Sequence, residues 1–167
     1  MIPNLVCGLT LVVLYLLQTA IFSRITLIAG TSDLILLFLA AWSLQEQVKN
    51  SWLWAVVAGF FISILSAMPF YTPMIGYLGV VSISKLFQRR VWRNPILTMF
   101  MVTFLGTLFQ QVVYISGLVM SGAPISWVES LDMVTIPSVL LNLIFALPIY
   151  AVANDLAGRL YPLEEET

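Results

Sequence analysis

The chain has no histidine in its 167 residues and only one cysteine, Cys7. Imidazole is the commonest general base and metal ligand near neutral pH, so its absence weighs against most hydrolytic and metal-dependent chemistry. A single thiol cannot close an internal disulfide or, with scattered carboxylates, complete a zinc site of the usual ligand types. Cys7 therefore reads as a small packing residue. Charge is equally scarce: 9% of residues are Asp, Glu, Lys or Arg, and the formal net charge is −1. A nearly neutral chain has no electrostatic basis for holding nucleic acid. No glycine-rich phosphate loop precedes a helix. Asp33, Glu46, Glu129 and Asp132 are scattered, and Glu129 and Asp132 fit the solvated side of a short interfacial helix. These absences predict no metal, no cofactor and no enzymatic activity.

What the chain has in abundance is apolar residues, 60% of the total, with a mean hydropathy of +1.00. Ordinary soluble domains hold roughly 45–50%. The apolar segments fall at about 4–22, 26–44, 52–68, 73–87, 95–120 and 133–153. Spans of about 20 residues at 1.5 Å per residue cross roughly 30 Å of hydrocarbon. The pattern predicts an all-α membrane protein: one integral membrane domain over residues 1–167, built as a bundle of six transmembrane helices. The first segment lacks the basic start of a cleaved leader and reads as a retained span. The second is the awkward one, because the run Leu34 to Leu44 is short and must borrow from residues 26–32 to cross. Pro69 and Pro73 separate the third and fourth spans, since prolines that close interrupt a helix. Trp52, Trp54, Trp92 and Trp127 fall near predicted membrane boundaries, where amphipathic rings settle.

Basic residues set the expected sidedness. Lys49, Lys85, Arg89, Arg90, Arg93 and Arg159 belong to the second gap, the fourth gap and the tail, whereas Arg24 alone lies in an odd gap. Lys and Arg are enriched in cytoplasmic loops, so both termini are predicted to be cytoplasmic.

Three sets of residues are candidates for function. Ala55, Gly59, Ser63 and Ala67 recur every fourth residue in the third span and leave one helix face almost free of bulk. Such a stripe supports close helix packing in lipid, either within the chain or against a partner helix. By depth along their helices, Gln18, Gln110 and Ser138 lie at one level, with Asn142 about a turn deeper, as interhelical glue or the lining of a ligand pocket. Thr103, Thr107, Gln110 and Tyr114 share one side of the fifth span. Pro137 and Pro148 bracket the sixth span and can kink it. Arg24 and Asp33 flank the first outer gap and are expected to mark the outer end of the bundle as a charge pair.

Several stretches taken together resemble the MreD family of bacterial rod-shape membrane proteins. They are Leu16-Leu17-Gln18-Thr19 with Phe22-Ser23-Arg24, Ser32-Asp33-Leu34 leading into Leu39-Ala40-Ala41-Trp42-Ser43, and Ala58-Gly59-Phe60 with Leu65-Ser66 and Pro69. The basic loop Gln88-Arg89-Arg90 follows, then Pro137-Ser138-Val139-Leu140-Leu141-Asn142 and Ala146-Leu147-Pro148-Ile149-Tyr150. The resemblance covers nearly the whole chain through order and spacing. One departure is Ser32, where proline often precedes the aspartate. The resemblance implies a non-catalytic scaffold of the bacterial cytoplasmic membrane that binds the transmembrane helix of MreC. Through it the scaffold would join MreB, RodA and a class B penicillin-binding transpeptidase in organising cell-wall synthesis and cell shape. The family also looks similar in fold to the substrate-binding components of energy-coupling-factor vitamin transporters. That similarity implies the alternative function, with Gln18, Gln110, Ser138 and Asn142 as pocket or vestige.

Overall fold

The computed structural model describes residues 2–20, 29–66, 68–90 and 94–161. These residues form an all-helical fold: α1 Ile2–Ala20, α2 Leu34–Leu44, α3 Ser51–Leu65, α4 Tyr71–Arg90, α5 Pro95–Met120 and α6 Trp127–Leu160. Helix α5, 26 residues, and α6, 34 residues, are each long and apolar enough to cross a membrane. A π-helical turn, Leu131–Thr135, interrupts α6 near its start, and Pro148 lies inside it.

Helix α2 is the axle of the bundle. It packs against all five other helices, and every residue from Leu34 to Ser43 is buried. Its 11 residues span only about 16 Å. The expected helical extension back through residues 29–32 is absent. Those residues are non-helical, and Asp33 caps the helix, its Oδ1 accepting from the Leu36 N–H at 2.9 Å. Residues 26–28, also assigned to that span, lie outside the described residues. Buried non-helical backbone is stable where its hydrogen bonds are supplied, and the N–H groups of Ala29, Thr31 and Asp33 in this strap over residues 29–33 are supplied in that way.

The other helices follow their local signals. Asn94 caps α5 through Oδ1 on the Leu97 N–H, and Pro95 takes the first helical position, where its missing N–H costs nothing. Helix α4 begins at Tyr71, with Pro73 in its first turn, two residues before the predicted start. Cys7 is buried in the core with Leu11, Leu14 and Trp54. Outward faces are strongly apolar: Leu5 and Leu9 on α1, Phe60 and Ile64 on α3, Phe104 and Val112 on α5, and Ile144 and Val152 on α6 are all exposed.

Candidate functional site: a polar layer holding a strap

Polar side chains from four helices converge on the strap and the first turn of α2. The Ala29 N–H donates to the Met133 carbonyl, and the Thr31 N–H to Ser138 Oγ at 3.1 Å. Asn142 Oδ1 accepts from both Ser32 Oγ, 3.0 Å, and the Asp33 N–H, 2.9 Å. Its Nδ2 donates to Thr107 Oγ1 at 3.0 Å, using the amide on both sides. Gln18 Oε1 accepts from the Leu34 N–H at 3.0 Å. Gly30 lets the strap lie on α6, because a Cβ there would stand 2.6 Å from both Pro137 Cβ and the Ser138 nitrogen.

Asp33 joins this layer to α4 and α5. Its Oδ2 accepts from Tyr77 Oη at 3.0 Å and from Gln110 Nε2 at 2.8 Å, and the same Nε2 donates to Tyr114 Oη at 3.0 Å. A carboxylate with three well-made hydrogen bonds is stabilised where an unpaired one would be costly. Beside it lies a cavity of about 420 Å³ whose polar lining includes Gln18, Asp33, Tyr77, Gln110, Tyr114 and Asn142, with Ile62, Ile115 and Leu118 among its apolar walls. A volume of that order suits a small ligand with a few polar groups.

The structure therefore brings together Gln18, Gln110, Ser138 and Asn142, and each of them hydrogen-bonds either the strap, the first turn of α2 or the capping carboxylate. Thr107 and Tyr114 join them, whereas Thr103, on the same side of α5, is buried without a hydrogen-bond partner. Asp33 sits inside this layer. Arg24, its expected partner, lies outside the described residues. Tyr77 and Ser32 are contributors that sequence reasoning missed. Tyr77 lies under two turns into α4 from its N-terminal end, a depth at which the same arithmetic that joined Gln18 to Gln110 would have found it.

The small-residue stripe lies elsewhere and faces inward. A Cβ on Gly59 would stand 2.7 Å from Met74 Cα of α4, and Ser63 Oγ donates to the Phe70 carbonyl at 2.7 Å. Ala55 is fully buried, and Ala67 lies outside the described residues. Of the two uses open to the stripe, packing within the chain is the one Gly59 and Ser63 display, Gly59 on α4 and Ser63 on the residue just before it. Glu129, just before the π turn, and Asp132, within it, are both exposed.

In comparisons with known proteins the chain matches no family model, no curated protein and no solved structure.

Proposed function

We propose that the chain is a six-span protein of the bacterial cytoplasmic membrane, with both termini inside, that serves as a non-catalytic scaffold of the cell-elongation complex and binds the transmembrane helix of MreC. The single observation that carries the non-catalytic reading is how the polar layer uses its bonds. Gln18, Ser138 and Asn142 bond to the chain's own backbone, and Gln110 to Asp33 and Tyr114, so the inward polar groups hold a shape. Sequence resemblance to the MreD family supplies the partners: MreC directly, and MreB, RodA and a class B penicillin-binding transpeptidase through the assembly. The exposed apolar faces of α1, α3, α5 and α6 suit lipid and a helical partner. With Gly59 and Ser63 turned inward, MreC is assigned to one of those outer faces.

Photocrosslinking residues placed singly at Leu9, Ile64, Phe104 and Ile144, one exposed site on each face, test this in living cells. Adducts with MreC from one face and not the others support the scaffold. Absence of MreC adducts from all four, in a chain that accumulates normally, contradicts it.

The cavity of about 420 Å³ favours a second reading, the substrate-binding component of an energy-coupling-factor vitamin transporter. Native mass spectrometry separates the two. A stoichiometric vitamin-like adduct supports transport, and a bare bundle carrying a single-pass companion supports scaffolding.

A further inference from the structure

At the opposite end of α2, a second cavity of about 570 Å³ lies between the α2–α3 connection and the last two turns of α4. Its lining includes Lys49, Lys85 and Arg89, with Glu46 the one carboxylate, so cations exceed anions three to one. Lys85 is fixed in place: its Nζ donates to the Val48 carbonyl and to Gln88 Oε1, both at 3.1 Å, while Gln88 Nε2 ties back to the Leu44 carbonyl at 3.2 Å. An ammonium has three donors, so one N–H of Lys85 remains for a ligand. Lys49 and Arg89 are exposed and form no ion pair among the described residues, where Asp155 with Arg159 is the one pair found. Lys85 and Arg89 stand one turn apart on α4, a like-charge spacing that repels unless an anion lies between them. Trp52, 46% exposed, and Leu86, 63% exposed, line the same groove and give it an apolar edge.

We propose that this groove binds the phosphodiester headgroup of an anionic membrane lipid, with Lys49, Lys85 and Arg89 on the phosphate and Trp52 and Leu86 against the start of the acyl chains. Three cations converging on one groove match a phosphate oxygen set, and a neighbouring apolar edge is what separates a lipid from a soluble phosphate ester. Basic pockets between helices at the cytoplasmic face recognise anionic headgroups by this chemistry. The inference rests on the membrane reading and is independent of MreC. An MreC-free protein that still binds lipid leaves it standing.

Purified full-length protein in nanodiscs of mixed phosphatidylglycerol and phosphatidylcholine tests the assignment, with retained lipid read by native mass spectrometry. Phosphatidylglycerol is expected to be retained over phosphatidylcholine. The double variant K49Q/R89Q removes two cations that make no side-chain hydrogen bonds among the described residues and is expected to weaken that preference about thirty-fold, at about five-fold per cation. Arg159→Gln, on α6 and away from the groove, is expected to leave it unchanged. Equal retention of both lipids, an unchanged preference in the folded double variant, or an equal loss in Arg159→Gln would overturn the proposal. Glycerophosphoglycerol, the headgroup without tails, is expected to compete poorly. Competition on a par with the lipid would make the ligand a soluble phosphate ester and refute the lipid assignment.

Discussion

Replacing Asn142 with leucine tests whether the polar layer holds the strap. Asn142 is 1% exposed and makes three hydrogen bonds, accepting from Ser32 Oγ and the Asp33 N–H and donating to Thr107 Oγ1. Leucine is close in shape, so the loss is mainly polar. The Ser32 hydroxyl can rotate toward another acceptor and the Thr107 oxygen loses only an incoming donor, and an interhelical hydrogen bond in a membrane averages only about 0.6 kcal/mol. The Asp33 N–H cannot rotate, and a buried donor left unmade costs about 1–3 kcal/mol. Together these give a destabilisation of about 2–4 kcal/mol, toward the lower figure if cavity water reaches the freed N–H. Gln18→Leu removes one bond, to the Leu34 N–H, and should cost about 1–3 kcal/mol. Reversible unfolding in mixed micelles, titrated with sodium dodecyl sulfate, measures both. A loss for Asn142→Leu no larger than about 0.6 kcal/mol, the average for any interhelical bond, would refute the assignment of the strap to this side chain.

Two glycines give further checks. Gly30→Ala drives a methyl into Pro137 and the Ser138 backbone, 2.6 Å away, and should cost at least about 1–3 kcal/mol in the same titration. Gly59→Ala places a carbon 2.7 Å from Met74 Cα and forces α3 from α4, again at about 1–3 kcal/mol. Gly8→Ala, whose Cβ would meet only Trp54 at an ordinary 3.5 Å, should be neutral or stabilising by up to about 1 kcal/mol. If Gly59→Ala and Gly8→Ala unfold alike, the close α3–α4 approach is refuted.

Where a helix is delimited by neighbours in sequence, reading the sequence was enough. Asn94 and Pro95 mark the start of α5 by a cap and a proline, signals contained in two adjacent residues. Helix α2 was legible as a short apolar run but not as a buried axle, because a requirement for span length argued for extending it. The residues that relieve the requirement are Gln18, Ser138 and Asn142, up to 109 positions away from the backbone they satisfy. Depth arithmetic grouped those side chains without revealing what they hold. Asp33 looked like an interfacial charge because the donors to its carboxylate, Tyr77 and Gln110, are 44 and 77 residues distant. Small residues at every fourth position foretold close packing. Only the position of Met74 shows that α4 is the neighbour on Gly59.

Sidedness underlies every functional proposal made for this chain and is tested most directly by cysteine labelling in intact cells. Cys7 is buried, which leaves a quiet background for single cysteines at exposed Ser121, between α5 and α6, and exposed Lys49, between α2 and α3. A membrane-impermeant maleimide is predicted to label Ser121→Cys from outside and to reach Lys49→Cys only after the membrane is opened. Labelling of Lys49→Cys in sealed cells would contradict the six-span arrangement.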